Sequence, residues 1–289
     1  MNPVLEILKN IYPQKDKLWA ITWIGGLMLL WLWDLMFLNN PALRKLEAAF
    51  FNTLFIGLLV ILFSLILAWM KTMLIHFSKE RLNGILFFPV KVLVNLIRSI
   101  PQILGILIGY VFVTRMLEKT TLGTTTIMIF LALIISLFVF LEISDLMLER
   151  IDHFKKTDFY NASRVCGISD FHIINFDILY KNSWIHLFNK LIAVFGMTIF
   201  LICSIDFIVS VGLSTDVSAI NLPSTLGSML AQIDSKQDIL AIGSTLTNPL
   251  YFPNLFLRHL QGISVSFLIV FTLFCVYKIS DGFARRYHI

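Results

Sequence analysis

Six runs of about 20 mostly apolar residues dominate this chain of 289 residues, each long enough to cross a hydrocarbon layer roughly 30 Å thick at 1.5 Å per residue. They fall at Trp19–Leu38, Ala49–Met70, Val94–Thr114, Leu122–Ser144, Lys190–Leu213 and Leu260–Ile279. No continuous β-alternation competes with them, which argues against a barrel. The expected fold is all-α: a polytopic membrane protein of six transmembrane helices.

Composition agrees with that reading. Hydrophobic residues make up 57 % of the chain and mean hydropathy is +0.82. Charged residues are 14 %, against roughly 25 % in soluble proteins. A soluble globule of this size has too little interior to hide that much apolar surface. Disorder, a collagen-like repeat and a secreted disulfide scaffold are excluded on the same grounds. The partner this composition requires is the lipid bilayer.

The first span is too long for the apolar stretch of a signal peptide. No small-x-small site follows Leu38, where the chain reads NNPAL, so the span is expected to remain as a helix. Orientation follows from Lys and Arg in the loops. With the N-terminus inside, the inner segments hold sixteen and the outer segments six; Arg98, left within a span, completes the total of 23. Both termini are therefore expected to be cytoplasmic. The basic residues are scattered, with no dense run able to track a nucleic-acid backbone, so no nucleic acid is expected as a partner. Cys166, Cys203 and Cys275 lie far apart with no metal-ligand spacing, and are read as buried apolar residues. No metal site is expected.

Two connections are longer than turns require. The outer one, 214–259, contains LPSTLGSMLAQ and NPLYFPN, with a short helix expected after Pro223. The inner one, Asp145–Asn189, carries the sharpest local pattern. Phe159, Ala162 and Val165/Cys166 fall on one face of a short helix, and Gly167 supplies the residue able to end it at positive φ. Ser169 is a good N-cap for a second helix, in which Phe171, Ile174, Ile178 and Leu179 form a stripe. The reading is a helix–glycine–helix elbow on the inner surface, with one face toward the bundle and an exposed tip.

This elbow resembles the cytoplasmic "EAA" loop of the permease subunits of ABC-type importers. That family's pattern is Glu-Ala-Ala, three variable residues, Gly, then a helix ending in Ile/Leu-Leu-Pro. Here the chain reads Asn161-Ala162-Ser163, Arg164-Val165-Cys166, Gly167, and later Ile178-Leu179-Tyr180. The glycine and both spacings match, while Asn161, Ser163 and Tyr180 replace the Glu, the second Ala and the Pro. Within the family the chain looks most like the C-type permease of the peptide/nickel branch. Asn95-Leu-Ile-Arg-Ser-Ile-Pro101 resembles that branch's Asp-x-x-x-x-Ile-Pro helix, with Asn95 for the Asp. Pro223-Ser224 with Gly227-Ser228-Met229-Leu230 resembles its Pro-Ser-Trp-Gly-x-Met-Leu outer loop, with one extra residue and no Trp. Pro253 and the tail 279–285 resemble its Phe-Pro and Gly-Asp-Gly-Leu-Arg features. The branch's long outer segment after the first helix, with its Gly-Arg-Asp motif, is missing.

The resemblance implies an N-terminal segment, 1–48, carrying the first helix, and a permease core, 49–286, of five helices. It implies half of a translocation pathway for peptides or a related small solute. The other half would be a second homologous permease, driven by two cytoplasmic ABC ATPases and supplied by a solute-binding protein in a bacterial plasma membrane. Phe159, Tyr160, Asn161, Ala162, Ser163, Val165, Gly167 and Ile168 would form the ATPase-coupling helix and its turn. ATP and Mg would sit on the partner subunits. Leu122-Gly-Thr-Thr-Thr has no lysine and opens a span, so this chain is not expected to hydrolyse ATP.

Arg98 and Asp206 lie at membrane depth, where ionisable groups are costly and face a bundle interior or a wet cavity. They line a translocation path or gate, or they form a structural pair or contacts with the partner permease. Pro101 removes a backbone donor and is expected to kink the third span, either as a hinge or as a static bend. Asp34, near the outer end of its span, is expected to snorkel to the interface. Pro223 and Gly227 either shape the outer mouth or cap the bundle. Two rivals stay open: a secondary transporter, for which only Asp206 supplies an intramembrane carboxylate, and a non-transporting membrane scaffold.

Overall fold

A computed structural model describes residues 14–81, 87–117, 123–212, 222–254 and 260–288, and every regular element among them is helical. In chain order these are α1 (Lys15–Phe37), α2 (Asn40–Arg81), α3 (Phe87–Ser99), α4 (Gln102–Leu117) and α5 (Thr124–Lys155). There follow α6 (Asp158–Val165) and α7 (Asp170–His172), which continues as a π-helix over Ile173–Asn182. The rest are α8 (Trp184–Gly212), α9 (Leu226–Leu230), α10 (Ile233–Thr247), a 3₁₀ turn (Pro249–Tyr251) and α11 (Leu260–Tyr287). The expected span ends Leu122 and Leu213, and parts of the N-terminal segment and the outer loop, lie outside the described residues.

α1, α2, α5, α8 and α11 are each long and apolar enough to cross a membrane. Several outrun the apolar runs: α2 has 42 residues, about 63 Å at 1.5 Å per residue. Its flanks carry charge but are rich in good helix formers, so the helix continues where hydropathy stops. The third expected span is different. It is a bent pair, α3 and α4, meeting at 98°. Pro101 withholds a backbone donor and disfavours α geometry at Ile100, so the first helix closes with Ile100 N–H on the Ile97 carbonyl. The kink expected at Pro101 is a full break.

Four helix pairs, α4–α5, α5–α8, α8–α11 and α2–α8, run antiparallel. Gly105 and Gly109 of α4 pack on Phe138 and Ile134 of α5. Lys190 of α8 pairs with Glu142 of α5 at 2.6 Å, and Arg150 reaches Ser183 just before α8. Ser280 and Val276 of α11 meet Asn189 and Gly196 of α8. α2 runs against α8 as well, with Gly57 beside Phe195 and Trp69 sharing a groove with Trp184. α2 and α5 are therefore parallel, joined by Lys71–Asp145 and Thr72–Ser144. The chain must cross between them, and the α3–α4 pair provides that crossing. Both ends of the described chain emerge at the same end of the bundle, where Asp16 and Arg286 pair at 3.1 Å.

The main core lies among α2, α5 and α8, with Ile56, Val60, Ile135, Ile143, Ile202 and Ile205. α1 is attached from outside, chiefly to α11, and its only buried residues are Asp16 and Asp34. These lie 18 residues, or about five turns, apart, on one line along the helix. Trp23 lies close to that line. Asp16 binds Arg286, the Trp23 indole donates to Thr272 at 3.1 Å, and Ser264 donates to Asp34 at 2.6 Å. Lipid is as apolar as leucine, so polar contacts rather than hydrophobicity seat such a helix. Asp34 thus departs from expectation: it turns inward to Ser264 instead of reaching for the interface.

Candidate functional site

α6 and the π-helix form the expected elbow. Gly167 has φ +82°. Its N–H bonds to the Arg164 carbonyl at 2.9 Å, and that of Ile168 reaches back to the Ser163 carbonyl at 3.2 Å. This pair of bonds is a Schellman termination, which needs a left-handed residue at the position Gly167 occupies. Ser169 caps the following helix by accepting from the His172 N–H at 3.4 Å. Two further contacts fix the angle between the arms: the Tyr160 hydroxyl and the Arg164 guanidinium both reach Asp170, each at 3.2 Å.

The face of α6 turned to the protein consists of Tyr160 and Ser163, which are buried. Phe159, Asn161, Ala162, Val165, Cys166, Gly167 and Ile168 are exposed. The apolar face read from the sequence is therefore the outward one, with Val165 89 % and Phe159 42 % exposed. Cys166 accordingly departs from the expected burial, while Cys203 and Cys275 are buried. In the second arm Ile174, Ile178 and Leu179 are buried as expected, but Ile173 takes the place of Phe171, which is exposed. The reason is the wider helix. Its i→i+5 bonding superposes Ile173 on Ile178 and Ile174 on Leu179, and the Asn182 amide caps the Asp177 carbonyl five residues back at 2.7 Å. A stripe of period 3.6 does not apply there.

The residues assigned to a path or gate fall into two separate groups. Arg98, at the end of α3, pairs with Asp145, which also holds the buried Lys71 at 3.1 Å. Pro101 lies three residues on, at the α3–α4 break. Asp206 is buried in α8 and accepts from the Thr225 hydroxyl at 2.5 Å. The buried Tyr110 hydroxyl of α4 lies beside the same carboxylate, outside strict hydrogen-bond geometry.

Pro223 and Gly227 join the Asp206 group. Pro223, Thr225, Leu226 and Gly227 are all buried, so this stretch of the outer connection is inserted into the bundle. Asn52 donates to the Ser224 carbonyl at 2.8 Å, and Thr53 accepts from the Leu226 N–H at 3.0 Å. Gly227 is pressed against α8 so closely that a Cβ would stand 2.2 Å from the Cys203 carbonyl oxygen. Sequence reasoning missed Asp145, Asp170, Thr225 and Tyr110. For Asp145 a signal existed: it and Lys71 each follow the last residue of an expected span. Among the described residues, no three His, Cys, Asp or Glu side chains converge as metal ligands. Compared with family models, with curated proteins and with solved structures, the chain matches none.

Proposed function

We propose that this chain is the transmembrane permease subunit of an ATP-driven importer, with the α6–Gly167 elbow as its contact with cytoplasmic ATPases. The observation that carries the reading is the outward apolar face of α6. Phe159, Ala162, Val165 and Ile168 stand exposed on a rigid, capped elbow, at the end of the bundle where both termini emerge. Apolar side chains displayed on a fixed frame suit a protein cleft, because little order has to be gained on binding. The same end carries most of the Lys and Arg, which supports a cytoplasmic placement in a bacterial plasma membrane.

In this reading the chain forms half of a pathway with a second permease. ATP and Mg reside on two ATPases, and a solute-binding protein delivers a short peptide or related small solute. Closure of the ATPases moves the elbow, and the bundle converts as a rigid body between two states. The ion pairs at Glu142–Lys190 and Asp145–Lys71 link the α5 end that leads into the elbow to α8 and α2, giving a stiff lever.

The test is ATP hydrolysis by the purified complex with wild-type chain and with Gly167→Pro, in the presence of the binding protein and a panel of di- to pentapeptides. Peptide-stimulated hydrolysis that the variant loses is the expected result. Stimulation by none of the peptides, with ATPases still bound, overturns the peptide assignment. Absence of ATPase from the complex overturns the importer reading and leaves a secondary carrier or a scaffold.

A further inference from the structure

α3 meets α4 at 98°, at the end of the bundle fixed by the Lys71–Asp145–Arg98 cluster, while α4 lies along α5, a helix long and apolar enough to cross a membrane. α3 therefore lies across the direction of α4 and α5, the orientation of a helix in the plane of a membrane those two would cross. Apart from Ser99, whose hydroxyl donates back to the Asn95 carbonyl at 2.8 Å, its side chains divide into three sectors. Val94 is buried, and Val90 and Ile97 pack with it against the main core. Phe88, Val92, Leu93 and Leu96 are exposed, Phe88 at 71 % and Leu96 at 62 %. Lys91, Asn95 and Arg98 make the third sector and are exposed as well.

Counting about 100° per residue from Phe88, the exposed apolar sector is centred near 70°, the bundle-facing sector near 210° and the polar sector near 310°. The midpoint of the two apolar sectors lies opposite the polar one. A helix lying in a bilayer interface beside a bundle needs that division: polar residues toward water, and both apolar sectors below them, one against protein and one against lipid. The only charges on α3 are the basic Lys91 and Arg98, the sign that suits anionic headgroups.

We propose that α3 is an in-plane interfacial helix whose Phe88, Val92, Leu93 and Leu96 insert among the acyl chains of an anionic leaflet. Lys91 and Arg98 stand at headgroup level. The Pro101 break turns the chain from the interface into the membrane, and the Arg98–Asp145 pair clamps that corner to α5. This role is independent of the coupling function proposed above, since its readout requires no ATPase.

The test places nitroxide labels on the full chain in vesicles of phosphatidylethanolamine and phosphatidylglycerol. In a Cys166→Ser background the remaining cysteines are buried, and Val92→Cys, Leu96→Cys and Asn95→Cys are labelled one at a time. The three positions are exposed, so none of the substitutions opens the core. Collision with lipid-soluble oxygen relative to a water-soluble nickel chelate is expected to be several-fold higher at positions 92 and 96 than at 95. Equal, water-like ratios at 95 and 96 overturn the proposal, because the helix then lies in solvent. Exclusion of both reagents at 96 also overturns it, because a second copy of the chain then covers the stripe.

Discussion

The Thr225 hydroxyl donates to the buried Asp206 carboxylate across 2.5 Å, tying the start of the short helix α9 to α8. The same oxygen accepts from the Ser228 N–H at 3.3 Å, so one side chain both caps α9 and anchors it in the bundle. Thr225→Val keeps the shape and removes both functions. Leaving a buried carboxylate without its donor costs about 1–3 kcal/mol. The expected outcome is a lower thermal unfolding midpoint for the purified protein. Asp206→Asn retains an acceptor oxygen and should lose less. Uptake that survives Asp206→Asn, with instability in Thr225→Val, would assign Asp206 to holding the inserted loop and remove it from a gating role.

Gly227 makes a second prediction, this one steric. A Cβ there would stand 2.2 Å from the Cys203 carbonyl oxygen and 2.7 Å from its Cα, and helix backbone does not yield as a flexible side chain does. Gly227→Ala should therefore push α9 out of its seat, at the roughly 1–3 kcal/mol typical of overpacking. Cys203, buried beneath it, reports the displacement. A maleimide that labels only Cys166 in the wild-type chain should also label Cys203 in the variant. An unchanged labelling pattern would show that the inserted loop accommodates the methyl group.

Asp145 serves Lys71 and Arg98 at once, and its two partners differ in environment. Lys71 is buried, whereas the Arg98 side chain is half exposed. Removing Asp145 strands a buried ammonium, the expensive way to break such a pair; removing Arg98 breaks only the exposed pair, worth about 0–1 kcal/mol, and leaves Asp145 on Lys71. Asp145→Asn should lower the unfolding midpoint clearly more than Arg98→Gln does. Equal effects would mean that Lys71 reaches solvent when its partner is lost.

Much of this architecture is legible in sequence because bilayer thickness imposes a length on apolar runs. All six runs correspond to helices or, for the third, to a bent pair. What escapes is anything set by contacts between runs. Nothing local distinguishes the Pro101 break from an ordinary kink, and Asp145, on which Arg98 holds the corner, lies 47 residues away. Asp34 has the composition of a snorkelling residue, and only the approach of Ser264 turns it inward. The elbow itself is readable, since Gly167 and Ser169 act through their own backbone bonds. The period of its second arm is not, because a π-helix changes which side chains superpose. The outer insertion is legible as Pro223 and Gly227, but its purpose depends on Thr53, Cys203 and Asp206, far away in the chain.

Val165 and Gly167 separate stability from coupling at the elbow. Val165 is 89 % exposed, while α6 is tied to the second arm through Tyr160 and Arg164 on Asp170, so Val165→Glu should leave the fold within about 0.5 kcal/mol of wild type. Gly167→Ala differs: a Cβ there meets nothing within 4 Å, so its cost is purely that of a left-handed alanine, about 1–2 kcal/mol. If the outward face seats in an ATPase cleft, Val165→Glu places a charge in an apolar contact. It should abolish co-purification of the ATPase or its stimulation, with the unfolding midpoint unchanged. Gly167→Ala should lower the midpoint while leaving the contact face chemically intact, and should keep partial coupling. Full stimulation with Val165→Glu would show that the exposed face of α6 is not the docking surface, however well the elbow is built.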